Sequence, residues 1–206
     1  MPSIRITPRE FQLVLLRRMA DYHPELVERA RGSLGATATE MREVNAHWQR
    51  MVRSPHYRPG LSALRGFLGA PVSEQPHRVG DLTCQIARWR LSLWPDLLYE
   101  AVAAPGGGTL AELLVRDPAA PPPRLERLSD LEPWSCVVGD LERAFSPARD
   151  PTLPAERWRV LFTEPPSRWT VLFTAPGDDG KPVGAVAQFV WGLLQNVQVE
   201  GESVGG

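Results

Sequence analysis

The chain has 206 residues, of which 43% are apolar and 23% are charged, so it can bury a core without disulfides or a structural metal. No run of roughly 18 apolar residues is present and residues 1–5 lack the apolar core of a signal peptide, which predicts a cytoplasmic protein without a membrane partner. The net charge of −1 hides an asymmetry, because residues 1–65 carry 11 Arg against 6 acids whereas residues 66–206 carry 12 basic groups against 18 acids.

The first third of the chain is predicted to be helical, because helix start signals precede apolar residues at helical spacing. Residues 7–10, Thr-Pro-Arg-Glu, combine an N-cap hydroxyl, proline at the first helical position and a carboxylate three residues after the cap. Thr37 and Glu40 form a second capping box ahead of another apolar stripe. Residues 1–68 are therefore predicted to be a helical N-terminal region.

Helical spacing also dominates residues 81–145, which are predicted to be a second helical region. Within it, Thr109 and Ser129 begin capping boxes that end at Glu112 and Glu132. The predicted linkers are residues 69–80, 106–108 and 117–124, which are rich in glycine and proline. A hairpin around the glycines is the alternative, and the capping box at Thr109 argues against it.

The character of the chain changes after residue 156, where aromatic and β-branched residues alternate with polar ones. Residues 157–163 and 168–174 show this pattern, which predicts two half-buried strands, and the residues between them are too few for a crossover helix. An antiparallel pair is therefore expected. Residues 183–199 fit a helix by their apolar spacing, although their valines leave a strand open.

These elements predict an α+β fold class, mainly helical with a small antiparallel β element near the C-terminus. The three predicted regions are residues 1–68, 81–145 and 156–199, of which the last two are compatible with one compact domain.

The sequence contains no recognisable catalytic, metal-binding or cofactor-binding motif. Glu43 and His47 stand at helical i, i+4 spacing, which can present two metal ligands, but Arg50 shares their face and no third ligand follows. Cys84 and Cys136 are too few for a disulfide framework and are predicted to be buried thiols. We therefore predict no catalytic residue, no metal and no cofactor, which favours a binding protein over an enzyme without deciding between them.

Arginines flank the tryptophans of the two predicted strands, and these are the residue types enriched at binding hot spots. The candidate partner-binding residues are Arg157, Trp158, Arg159, Arg168 and Trp169. The arginines would suit an acidic ligand, and an unpaired strand edge would suit an extended peptide. The alternative, in which the indole rings are core and the arginines reach past them to water, stays open.

Three segments, residues 128–132, 140–145 and 165–172, resemble the C-terminal part of helical accessory proteins that partner multinuclear non-haem iron enzymes. Those enzymes modify ribosomal peptides, and the methanobactin system is among them. The resemblance implies a non-catalytic subunit that binds an iron enzyme and helps to present its precursor peptide. It assigns no functional residue in this chain.

The function predicted from the sequence is therefore a non-enzymatic, protein-binding accessory subunit whose partner is a protein or peptide. A nucleic-acid-binding or regulatory protein that uses the basic N-terminal third stays open as a second hypothesis. A phage, immunity or assembly component and an enzyme with an unfamiliar site stay open as well.

Overall fold

The computed structural model describes residues 5–145, 159–164 and 168–200. The chain divides into two compact units, Met1–Glu112 and Leu113–Gly206. The helices of the described residues are α1 (Pro8–Met19), α2 (Pro24–Ser33), α3 (Ala38–Val52), α4 (Leu61–Leu68) and α5 (Val138–Phe145). The strands are β1 (Ser73–Val79), β2 (Leu82–Arg90), β3 (Leu97–Ala103), β4 (Thr109–Arg116), β5 (Arg159–Glu164), β6 (Arg168–Pro176), β7 (Pro182–Val190) and β8 (Leu193–Val199). Sheet A has the order β1-β2-β3-β4 and sheet B the order β5-β6-β7-β8.

The helices predicted in the first third are confirmed, and two of them start at the predicted caps. Thr7 and Glu10 form a capping box at the start of α1, where the Thr7 amide donates to the Glu10 carboxylate at 3.1 Å. At the start of α3 the Glu40 amide donates to the Thr37 hydroxyl oxygen at 3.0 Å. Each of these bonds satisfies a backbone donor that the first helical turn leaves without a partner.

In the first unit, aromatic side chains link three helices to sheet A. The Phe11 ring of α1 meets the Tyr99 ring of β3 edge-on at a centroid distance of 5.0 Å, and it meets Trp48 of α3 at 5.6 Å. Trp48 in turn contacts Phe67 of α4 at 5.5 Å. Aromatic pairs in this geometry add to the stabilisation from burial alone, so these rings join α1, α3 and α4 to the sheet.

The prediction of a mainly helical fold is wrong, because most of residues 81–116 form the strands β2, β3 and β4. In β2 the buried residues fall on both faces, with Cys84 and Ile86 on one face and Ala87 and Trp89 on the other. Nearly all of β3 is buried as well. A strand buried on both faces loses the alternation of apolar and polar residues, and its apolar positions can then imitate helical spacing.

Two of the four predicted capping boxes are not helix starts. Thr109 begins β4, and the preceding glycines form a hairpin turn in which the Ala104 amide donates to the Gly108 carbonyl oxygen at 2.8 Å. Ser129 lies inside a short 3₁₀ turn rather than at the cap of a long helix. The predicted linker 69–80 contains β1.

The second unit combines sheet B with α5, whose Phe145 ring lies 5.8 Å from that of Phe173 in β6. The predicted antiparallel pair is confirmed as β5 and β6. Residues 183–199 form β7 and β8 rather than a helix. Among the helices that the structure describes, none has both the length and the apolar character needed to cross a bilayer.

Candidate partner-binding surfaces

Of the five residues that were predicted to bind a partner, the structure describes Arg159, Arg168 and Trp169. Arg157 and Trp158 lie outside the described residues, and Arg159 is described only through its backbone, as the first residue of the outer strand β5. Trp169 is buried in β6, and Arg168 before it is half-buried on the opposite face of that strand. Their role in binding stays a prediction.

The outer edge of sheet B at β8 is partly covered by the protein's own chain. Leu193 pairs with Val137 in an isolated antiparallel bridge, and the Leu194 amide donates to the Cys136 carbonyl oxygen at 3.0 Å. Residues 136–138 therefore act as a short added strand along the first part of β8.

This added strand stops at Trp134. The φ angle of Trp134 is 66°, in the left-handed region that bulky residues rarely adopt, so the chain bends there instead of continuing along β8. The Trp134 amide donates to the Leu194 carbonyl oxygen at 2.8 Å, and its indole N–H donates to Gln195 Oε1 at 3.3 Å. In the described part of the chain, no strand follows β8 on its outer side beyond this point.

A β-bulge determines which backbone groups of β8 face outward. The register with β7 shifts by one residue, which leaves Gln195 as the extra residue in β8. Beyond the bulge the Glu200 amide donates to the Gly184 carbonyl oxygen of β7 at 2.9 Å. Because backbone groups along a strand point alternately to its two sides, the amide and carbonyl groups of Val197 and Val199 face away from β7. We call the outer side of residues 196–199 the open edge.

The open edge differs in its residue types from the outer edge of sheet A at β1. All described side chains of β1 are exposed, Pro76 stands in its centre, and Glu74 and Arg78 carry charges. Proline and charge are the features with which natural edge strands resist pairing. The strand β8 (Leu193–Val199) contains no charged residue and no proline, so its open edge has no such protection.

A carboxyl group lies among aromatic side chains in the first unit. The Tyr99 hydroxyl donates to Glu112 Oε2 at 2.7 Å. Burial raises the pKa of Glu112 above its ordinary value, although the hydrogen bond from Tyr99 acts in the opposite direction. Burial, and then the charge of Glu112, also raise the pKa of Tyr99 and of Tyr57. The first unit therefore contains a carboxyl group that holds its proton to a higher pH than usual.

In the second unit, Asp140 near the start of α5 is an almost fully buried anion with several donors. It accepts hydrogen bonds from Arg116 Nη2 at 2.7 Å, from Arg143 Nη1 at 3.0 Å and from the Val137 amide at 3.2 Å. Cys84 and Cys136 are both free and buried, as predicted. Burial, with the neighbouring Asp140 charge, raises the pKa of the Cys136 thiol to about 12, so the reactive thiolate is scarce at neutral pH.

In the described ranges, no group of three or more His, Cys, Asp and Glu side chains could hold a metal ion. Glu40, one turn before Glu43 on α3, is paired instead with Arg9 of α1, whose Nη1 lies 2.5 Å from Glu40 Oε1. The predicted absence of metal and cofactor stays a prediction.

No protein-family model matches the chain, and no curated protein matches it. A crystal structure from Streptococcus mutans, provisionally named a β-lactamase inhibitor protein, aligns with a TM-score of 0.29 and 9% identity over 73% of this chain and 88% of that one. A likeness this distant carries no argument about the present protein. Nothing in these comparisons supports peptide natural-product biosynthesis, so that expectation is dropped, while the accessory-subunit resemblance stays a prediction.

The open edge was missed from the sequence, although part of its signal is present there. Residues 196–199, Asn-Val-Gln-Val, alternate polar and β-branched residues as a half-buried strand does. The alternation covers too few residues to outweigh the helical spacing of residues 183–199. The bend at Trp134 has one local signal, because Pro133 occupies the second position of a turn in which the Ser135 amide donates to the Glu132 carbonyl oxygen at 3.0 Å. The local sequence does not show that this turn leaves part of β8 open.

Proposed function

We propose that this protein is a protein-binding module that takes up an extended segment of a partner protein along the open edge of β8. The observation that carries the proposal is the pairing already present on the same strand. Residues 136–138 add to the first part of β8 by backbone hydrogen bonds, and the bend at Trp134 leaves Val197 and Val199 without such a neighbour in the described chain. Addition of a strand is a common way in which a sheet edge binds a peptide.

The chemistry of the open edge favours a polypeptide over other ligands. Val197 and Val199 each present one N–H and one C=O on the outer side of β8. The backbone of another extended segment carries donors and acceptors at the same spacing, so it can form hydrogen bonds with all of these groups. The strand β8 carries no positive charge that could neutralise phosphates, which is the main source of affinity for nucleic acids.

The side chains beside the open edge predict the pattern of the bound segment. Val197 and Val199 are half-buried and stand opposite the buried Ala187 and Ala185 of β7, whereas Gln198, on the other face, is exposed. A bound segment would extend both faces of the sheet. We therefore expect apolar residues at alternate positions on the valine side and polar residues between them.

Peptide display on the purified full-length protein tests the proposal. Selected peptides are expected to alternate apolar and polar residues. Val197→Pro, which removes an outward-facing donor, should bind them about tenfold more weakly. Asn196 before it is already extended, as a residue preceding proline must be. The matched control is Val197→Thr, which keeps the amide and the β-branched shape and should bind nearly as well as the parent.

Two outcomes would overturn the proposal. The first is failure to select any peptide above background, or undiminished binding by Val197→Pro. The second is a dimer in size-exclusion chromatography that becomes a monomer in the Val197→Pro variant, since the open edge would then bind a second copy of this chain. The narrower prediction, that the partner is a metalloenzyme served by this protein as accessory subunit, is tested separately by co-purification with an iron-containing protein.

A further inference from the structure

One long stretch of the first unit contains no acidic residue. Between Glu43 and Glu74 the chain has four arginines and two histidines but no aspartate or glutamate. The whole chain has 24 acids in 206 residues, and at that frequency a stretch of this length would hold about three. The local excess of positive charge is therefore a property of this stretch and not of the chain as a whole.

The structure gathers part of this charge at the C-terminal end of α3. Arg50 and Arg53 are exposed and stand three residues apart, a spacing that places them on one helix face. After the helix, Arg58 folds back so that its Nη1 donates to the Pro55 carbonyl oxygen at 2.6 Å, and His56 is exposed between them. We call Arg50, Arg53, His56 and Arg58 the basic strip.

The basic strip has no acidic partner among the residues that the structure describes. Within the described residues none of its four side chains forms an ion pair, whereas Arg65, from the same acid-free stretch, is paired with Glu74 at 2.6 Å. A helix C-terminus attracts cations, which accounts for Arg50 and Arg53 in or beside the last turn of α3. It does not account for His56 and Arg58, which lie beyond the helix.

We propose that the basic strip binds a segment of clustered carboxylates in a partner protein. This inference is independent of strand addition at β8, because it concerns other residues and another kind of contact. The planar guanidinium group matches a carboxylate with two parallel hydrogen bonds, and three of the four side chains are arginines. Exposed charge of this kind speeds the encounter with a partner of opposite charge and selects against other partners.

An acidic protein segment fits this surface better than a nucleic acid does. The unit Met1–Glu112 has 14 arginines against 11 acids, a modest excess compared with domains that bind nucleic acids. Base stacking needs exposed aromatic rings, but Tyr57 is half-buried and Trp48 is packed between Phe11 and Phe67. The basic strip is therefore better suited to an acidic protein segment than to a nucleic acid.

Fluorescence anisotropy with a labelled oligoglutamate peptide and the full-length protein tests this inference. The peptide is expected to bind at low ionic strength and to dissociate as salt is added. Arg50→Glu with Arg53→Glu should weaken binding about tenfold. Arg50→Lys with Arg53→Lys keeps the charge and should lose much less. The matched control is Arg29→Glu with Arg78→Glu, which makes the same change in net charge at two other exposed positions.

The inference is overturned if oligoglutamate does not bind, or if the control pair weakens binding as much as the strip pair, because net charge alone would then explain the effect. It is also overturned if a single-stranded oligonucleotide binds more tightly than oligoglutamate and loses that binding in the Arg50→Glu, Arg53→Glu variant. An unchanged melting temperature in every variant shows that the fold is intact.

Discussion

At the scale of single residues, the surroundings of Asp140 and Glu112 favour different protonation states of the same functional group. Asp140 is charged and surrounded by donors from Arg116, Arg143 and the Val137 amide. Glu112 has a tyrosine hydroxyl as its donor and is disfavoured in its charged form by burial. The first carboxylate stabilises the fold through its charge, and the second does so best when it is neutral.

Glu112 makes stability depend on pH with a definite sign. Its pKa is raised in the folded state, so the native protein keeps a proton that the unfolded chain has released. The stability contributed by this proton is complete below the ordinary glutamate pKa and is lost as pH rises through the folded pKa. Glu112→Gln, whose amide oxygen can still accept the hydrogen bond from the Tyr99 hydroxyl, should therefore be more stable than the parent at pH 7 and should flatten this part of the profile.

The measurement is the free energy of unfolding from chemical denaturation at a series of pH values from about 4 to 8. The assignment would be contradicted if the free energy of unfolding of the parent rose with pH across this window and the Glu112→Gln variant showed the same slope.

Asp140 should be among the most sensitive charged residues in the second unit. Asp140→Asn keeps the shape but removes the negative charge, which leaves the mostly buried Arg116 without its counter-ion. We expect a loss of about 3 to 5 kcal/mol in the free energy of unfolding. Asp179→Asn is the control, because Asp179 and Lys181 form an exposed pair and its loss should cost less than about 1 kcal/mol. Equal effects in denaturant titrations would contradict the role of Asp140.

At the scale of elements, a turn of sheet A packs closely against the start of a helix. Gly60 at the start of α4 has a φ of 131° and lies close to the glycine turn between β3 and β4. The approach is so close that a Cβ atom on residue 60 would collide with the Gly107 carbonyl oxygen. This turn, which was predicted to be a linker, is therefore packed against the loop that begins α4.

Gly60→Ala should destabilise the protein by about 2 kcal/mol or more, because it combines that collision with a strained φ. Gly66→Ala is a matched control within α4, where an added Cβ would meet no atom within 4 Å. It should stabilise the protein by about 0.5 to 1 kcal/mol through helix propensity. Thermal or denaturant unfolding of both variants checks the two opposite signs, and equal effects would contradict the close approach to Gly107.

The backbone of β8 should show its open edge in hydrogen exchange without any partner. The amides of Val197 and Val199 face outward and are expected to exchange fast, whereas those of Gln198 and Glu200 bond to β7 and should be protected. The Leu194 amide, bonded to Cys136, should be protected as well. Residue-resolved exchange by NMR is the measurement. Strong protection at Val197 and Val199 would mean that another segment covers the edge.

At the scale of the whole molecule, the charge asymmetry read from the sequence is distributed over two compact units. The unit Met1–Glu112 carries an excess of basic residues, and Leu113–Gly206 carries an excess of acidic ones. Each unit contributes its own candidate surface, the basic strip in the first and the open edge in the second. The two proposals can therefore fail or succeed independently.

By itself the sequence determined the helices of the first third and the antiparallel pair β5 and β6. These depend on short-range signals, such as the caps at Thr7 and Thr37 and the alternation in residues 168–174, which a single chain displays directly. The burial of Cys84 and Cys136 was likewise predictable from residue type and number.

Only the tertiary structure decided that most of residues 82–116 form strands and where a partner could add to a sheet. The strands β2 and β3 are buried on both faces, so their sequences lack the alternation that would identify them, and their backbone partners lie in other strands. The open edge exists because Trp134 turns the chain away from β8, and these two segments meet only after folding. Local patterns contain no record of such a contact, because hydrogen bonds between distant segments are set by the packing of the whole unit.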